Sequence, residues 1–233
     1  QEQGKLGLVD AVIYHPYSHN PDDVYGRVAQ LRKIVAKYSE TISIRQGENG
    51  APSRRGTFGA LSNYDWDEER QAKWALRRLL GDLGRDIPSS YFAICDMAYR
   101  VTTKGRDSDF RESEEKLKLK INYKGLLAIN NDRTVHHAKQ GYQAVQHLTA
   151  LFDGSLTRIK DFSAQIGDDP VVSGHSVFGY RTADSQPVVT VWRSVAPPGK
   201  NAKVERSKLY VAGMSFKAPV WIDLRTGRVH AID

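Results

Sequence analysis

The sequence predicts a mixed fold, α/β plus all-β, with an α/β region over residues 1–153 and an all-β region over residues 154–233. Two differences in texture lead there. The first region alternates short apolar runs with long amphipathic segments, as βα units do. The second has only short strand-like runs separated by Gly, Pro, Asn and Asp. A length of 233 residues suffices for one large domain or two smaller ones.

The first βα unit opens with Leu8-Val9-Asp10-Ala11-Val12-Ile13-Tyr14, apolar enough for a strand buried on both faces. His15-Pro16-Tyr17 ends it, because Pro cannot donate to a ladder. A helix is expected from about Pro21 to Tyr38, with Asn20 as N-cap and Val24, Val28, Leu31, Val35 and Tyr38 on one face. The second unit has the strand Thr41–Arg45, which runs into the turn-rich loop Gln46–Ser53. Asp65 and Glu68 suggest a variant capping box for the next helix, whose stripe is Ala72, Ala75, Leu76, Leu79, Leu80 and Leu83. The third unit has the strand Ser90–Cys95, ending at Asp96-Met97-Ala98-Tyr99. The charged stretch Arg100–Lys120 reads as a surface loop, and a helix is expected from about Thr134 to Phe152. Such repeats give parallel strands with right-handed crossovers. Three units cannot close a barrel of eight, and they could also form a small open sheet.

In the second region, strands are expected near 176–181, 187–194, 208–212, 220–223 and 229–232, with turns at Ser185-Gln186-Pro187, Pro197-Pro198-Gly199 and Thr226-Gly227. This pattern predicts a small antiparallel sandwich.

Composition narrows the function classes. The hydrophobic fraction of 40% and charged fraction of 26% suit a soluble globular protein. No apolar run approaches the roughly 20 residues that span a bilayer, so no membrane partner is expected. A net charge of +7 permits attraction to nucleic acid or acidic glycans, but the basic residues are dispersed and no nucleic-acid motif is present. A solvated basic surface and no nucleic-acid partner are therefore expected. Cys95 is alone, so no intrachain disulfide is possible, and a buried small hydrophobe is expected there. His136 and His137 are adjacent on an expected helix, poor spacing for metal ligands. No metal and no cofactor are expected. The start, Gln1-Glu2-Gln3-Gly4-Lys5, lacks both an initiator Met and a signal-peptide pattern. The chain is therefore expected to begin inside a longer protein, soluble and exported only if that protein carries a signal.

Parallel α/β folds gather active-site residues at the C-terminal ends of their strands. The first strand offers His15 and Tyr17 there, the second Gln46, Glu48 and Asn49, the third Asp96 and Tyr99. A carboxylate flanked by amide, imidazole and phenol groups suits sugar chemistry: it can attack an anomeric carbon while its neighbours bond hydroxyls. Each residue has a second reading. Glu48 could be a surface carboxylate of the loop, His15 could cap the strand end, and Tyr17 and Tyr99 could be packing residues. Asp96 either binds substrate or is a structural carboxylate held by backbone N–H groups or an Arg.

The segment Val9–Tyr17 resembles the sixth barrel strand of clan A glycoside hydrolases, especially family 39-like and related unclassified members. Ile44-Arg45-Gln46-Gly47-Glu48-Asn49-Gly50-Ala51-Pro52-Ser53 resembles their seventh strand, whose terminal Glu is the nucleophile. Lys124-Gly125-Leu126-Leu127, Tyr142-Gln143-Ala144-Val145-Gln146 and Leu151-Phe152-Asp153 resemble the segment after the eighth strand and the closing helix. Pro219–Leu224 fits the final strands of the β-sandwich that often follows. The resemblance implies the C-terminal βα units, about strands 6–8, of a (β/α)8 TIM barrel followed by a β-sandwich. It implies a retaining O-glycoside hydrolase acting on an oligosaccharide or glycoside. Glu48 would be the nucleophile, and His15, Tyr17, Gln46, Asn49, Asp96 and Tyr99 would surround the substrate. The acid/base Glu of that family follows an Asn at the end of the fourth strand. It is expected on an N-terminal barrel half outside this chain. The alternative reading is a non-catalytic carbohydrate-binding or scaffolding protein.

Overall fold

Two short parallel strands organise the N-terminal region of the computed structural model, which describes residues 6–102, 117–167, 174–200 and 207–232. Strand β1 (Ala11–Tyr14) pairs in parallel with β2 (Ser43–Gln46), Ala11 opposite Ser43 and Tyr14 opposite Gln46. The connection is a short 3-10 turn, Pro21–Val24, continuing into helix α1 (Tyr25–Ala36). Asn20 caps the turn, its side chain accepting from the Asp22 N–H, with Pro21 where its missing N–H costs nothing. Val24, Val28, Ile44 and Ile87 form a buried cluster here, with Val12, Tyr14, Leu31 and Val35 packed against it.

The strands alternate with period two. Val12, Tyr14, Ile44 and Gln46 face the helices, whereas Ile13 lies on the opposite face and is 60% exposed. Burial of the first strand on both faces is thus not what the structure shows.

Helix α2 (Glu68–Leu83) leads to a third parallel position beside β2, where Ser89 bridges Gln46. Asp67 is its N-cap, accepting from the Arg70 N–H, two residues later than the D-x-x-E pattern suggests. Asp65 is instead drawn off by Arg55 and Arg70. The expected strand Ser90–Cys95 is not a continuous ladder, because its backbone bonds are split between two neighbours. Ser90 and Phe92 donate to Gln46 and Asn49, while Ala93, Ile94 and Asp96 pair with Lys124, Leu126 and Leu127. Cys95, half-buried, bridges Leu127 in parallel.

The ends of the Arg100–Lys120 stretch belong to an antiparallel pair, β3 (Met97–Thr102) and β4 (Leu117–Asn122); residues 103–116 lie outside the described residues. A second hairpin pairs β5 (Leu127–Ile129) with β6 (Val135–Ala138). His136 and His137 therefore sit on a strand, and helix α3 (Gln140–Leu151) starts later than periodicity suggests. Ala72, Leu76 and Leu80 of α2 pack on Ala144 and Leu148 of α3. Burying each such Leu contributes about 1.5–3 kcal/mol.

The remaining strands are β7 (Thr157–Ile159), β8 (Ala164–Ile166), β9 (His175–Arg181), β10 (Pro187–Arg193), β11 (Leu209–Val211), β12 (Val220–Asp223) and β13 (Arg228–Ala231). They form antiparallel sheets in the orders β10-β9-β7, β11-β8 and β12-β13. Trp192 and Leu224 pack against the α2–α3 cluster. A buried polar knot reinforces the contact. The Asp22 carboxylate accepts from the Arg77 guanidinium at 2.6 and 2.9 Å, from the Trp192 indole at 3.0 Å and from the Ser176 hydroxyl at 3.3 Å.

Candidate functional site

Parallel strands end on the same side, so the residues leaving β1 and β2 are delivered to one place. Tyr17, three residues beyond β1, donates its hydroxyl to Glu48 Oε1 at 2.7 Å. His15 Nδ1 lies 3.7 Å from Glu48 Oε2. Burial pushes the Tyr17 phenol well above its usual range, and its bond to the Glu48 carboxylate pushes it further. Tyr17 is thus a fixed donor at physiological pH. The Glu48 side chain keeps about a third of its surface open (36%). Gly50 lets the loop close here: a Cβ at that position would fall 1.8 Å from the Phe92 carbonyl oxygen.

A residue without a role in the sequence reading joins this pair. Lys124 is buried, its Nζ 5.7 Å from the centre of the Tyr17 ring and close enough to Glu48 to feel its charge. Burial lowers its ammonium to about 8, against the opposing pull of Glu48. A lysine beside a Gly-Leu-Leu run gives no local sign of burial.

Helix α2 braces the site through a stripe of donors at Gln71, Trp74 and Arg78. The Gln71 amide donates to the carbonyls of Ala51 (3.0 Å), Gly125 (3.1 Å) and Lys124 (3.3 Å), tying the Glu48 loop to the Lys124 segment. The Trp74 indole donates to Ser18 O at 2.9 Å and Arg78 to Pro16 O at 3.3 Å, holding the backbone on both sides of Tyr17. The spacing of three and four residues places all three side chains on one helical face.

The other expected site residues are engaged in other contacts. Gln46 is on the helix-facing side of β2, and its Oε1 accepts from the Ser89 hydroxyl and the Ser90 N–H. Asn49 is fully buried and donates to Ser90 O. Asp96 is turned into the core, where it accepts from Lys139 Nζ at 2.6 Å and from the Gly125 N–H at 3.0 Å. Burial raises the Asp96 carboxyl and lowers the Lys139 ammonium, and their contact opposes both shifts. Asp96 thus has the partners of a structural carboxylate, a Lys and a backbone N–H. The Tyr99 ring packs on Phe58 with centroids 5.3 Å apart, near enough to Tyr17 to influence its ionisation.

The open cavity lined by Val9, Asp10, Tyr38, Thr41, Ser43 and Arg45, about 540 Å³, lies at the opposite ends of β1 and β2 and shares no residue with this site. Among the described residues, no group of three or more His, Cys, Asp and Glu side chains is placed to hold a metal ion.

Chemically, the arrangement presents an accessible carboxylate with a locked phenol donor on one oxygen, an imidazole near the other and a buried ammonium behind. Such a carboxylate can act as a nucleophile or accept hydroxyl hydrogen bonds. No family profile matches the chain, and no curated protein matches it.

Proposed function

We propose that this chain carries the nucleophile side of a retaining O-glycoside hydrolase, with Glu48 attacking the anomeric carbon. The observation that carries this reading is the 2.7 Å bond from Tyr17 to Glu48 across the ends of two parallel strands. One carboxylate oxygen is fixed by Tyr17, and the other faces the His15 imidazole at 3.7 Å. The phenol withdraws charge in the free enzyme and is positioned to release it as the glycosyl–Glu48 bond forms and breaks. The resemblance of Val9–Tyr17 and Ile44–Ser53 to the sixth and seventh strands of clan A glycosidases supports the same reading.

Double displacement with retention needs a second carboxyl roughly 5–5.5 Å from the first. Among the described residues, the side chains in hydrogen-bond or ion-pair contact with Glu48 are a phenol and an imidazole. On this reading the acid/base carboxyl comes from an N-terminal barrel half outside this chain, as the resemblance to clan A glycosidases implies.

The test follows product stereochemistry in the full-length protein by ¹H NMR. Retention of the anomeric configuration is expected, with hydrolysis abolished in Glu48→Gln. A non-catalytic glycan-binding role predicts the opposite pattern: no turnover in the wild type, and glycan affinity that survives Glu48→Gln.

A further inference from the structure

Two lysines in this region are almost completely buried, and they are treated very differently. Lys139 is 2% exposed and fully satisfied: its ammonium donates to Asp96 at 2.6 Å, to the Gly125 carbonyl at 2.9 Å and to the Ser53 hydroxyl at 2.9 Å. Lys124 is 1% exposed, and among the described residues its ammonium has one long hydrogen bond, 3.5 Å to Asn122 Oδ1. An ammonium has three N–H donors, and burying it with so few acceptors opposes folding. Lys139 is explained by the packing it completes; Lys124 is not.

The surroundings of Lys124 point to the site. From the end of β2, Glu48 supplies the one charge that acts on it among the described residues. From the end of β1 come the Tyr17 ring, at 5.7 Å, and His15, which faces the far oxygen of Glu48. Tyr91 and Tyr99, from the third parallel segment and β3, act on Tyr17. The covering loop contributes Gly59, where a Cβ would stand 3.5 Å from both Lys124 Nζ and Asn122 Nδ2. The neighbouring Phe58 ring of that loop carries the Lys120 ammonium, 5.4 Å from its centre. The buried charge is thus matched to one carboxylate, the residue read as the nucleophile.

We propose that Lys124 is a positioning residue for Glu48, its ammonium serving as the counter-charge of that carboxylate, and that loss of its proton switches the site off at alkaline pH. The switch rests on the glycosidase reading; the coupling of Lys124 to Glu48 does not. Below its midpoint Lys124 is charged and its field favours the Glu48 carboxylate. Above it the amine is neutral and Glu48 is left with the Tyr17 phenol and His15.

The coupling is read without turnover, by ¹³C NMR of ε-labelled lysine in the full-length protein, with Lys124 assigned through Lys124→Met. One ε-carbon should titrate near pH 8, and in Glu48→Gln its midpoint should fall by roughly one pH unit, since the anion that favours the ammonium is gone. A Lys124 midpoint above pH 10, or one that Glu48→Gln leaves in place, overturns the coupling. The switch is read from the pH profile of kcat/KM. Lys124→Arg keeps the charge at every accessible pH and should move the alkaline limb upward, while Lys124→Met should lower kcat at least tenfold with a smaller change in KM. An alkaline limb unmoved by Lys124→Arg overturns the switch. A coupled titration in a protein inert toward all glycosides overturns the glycosidase reading and leaves the coupling standing.

Discussion

Gln71 holds together the two loops that carry Glu48 and Lys124, and its replacement separates bonding from packing. Gln71→Met keeps nearly the same volume and removes the amide. The Ala51 carbonyl then loses its 3.0 Å donor and, among the described residues, retains the Tyr91 hydroxyl at 3.5 Å. The Gly125 carbonyl keeps Lys139 at 2.9 Å, and the Lys124 carbonyl keeps the Ala93 N–H at 3.4 Å. One buried carbonyl is left close to unpaired, a loss of about 1–3 kcal/mol. Part of this is offset because the Gln71 Oε1, buried with no hydrogen-bond partner among the described residues, is removed too. The net expectation is about 1–2 kcal/mol for Gln71→Met. Gln71→Ala adds the cavity left by the missing side chain and should reach about 3–4 kcal/mol. Equilibrium urea unfolding of the full-length protein measures both, through a lower midpoint at unchanged slope. A Gln71→Met variant as stable as the wild type would show that the three carbonyls do not need this donor, and the bracing role of α2 would be lost with it.

Three further outcomes follow from the same geometry. Asp22→Ala strands the buried Arg77 guanidinium and the Trp192 indole, so it should destabilise by about 3–5 kcal/mol in urea unfolding; a loss below 1 kcal/mol would mean the knot is not part of the fold's stability. Lys124→Met should stabilise the protein at pH 7. The folded-state midpoint of about 8 lies below the ordinary 10.5, so between these values the unfolded chain holds more protons and stability rises with pH. The advantage of the Met variant, about 2 kcal/mol at pH 7 once solvent screening is allowed for, should shrink from pH 8 to 10, and a pH-independent gap would contradict it. Tyr17→Phe removes a hydrogen bond to a charged group, worth about 1.5–3 kcal/mol, and should lower kcat/KM about 10- to 150-fold; a change under threefold would remove Tyr17 from the site.

The parts of this structure that can be read from sequence are those set by local periodicity. The α2 stripe as far as Leu80, the Asn20 cap and the strand-end positions of Tyr17 and Glu48 are of this kind, whereas Leu83, expected on the stripe, is exposed. Gln46 was partly legible: it shares strand parity with Ile44, an apolar residue, so both face the helices. The start of α3 was not legible. Lys139 provides no side-chain cap, and the free Gln140 N–H is taken by Glu68, which also bonds His137, from 72 residues upstream. The helix N-terminus is thus built by a distant side chain, and Val135–Ala138 is released to pair with β5. Lys124 was illegible for the same reason. Its burial depends on the loop around Gly59 and on Tyr17, both remote in sequence, and an isolated Lys ordinarily signals solvent.

The role of Glu48 is tested most directly by trapping. The full-length protein, treated with activated 2-deoxy-2-fluoro glycosides and digested, should yield one glycosylated peptide, with the sugar on Glu48 and none on the Glu48→Gln variant. A sugar on a different carboxylate, or no adduct across a broad panel of sugars, contradicts the assignment of Glu48 as nucleophile.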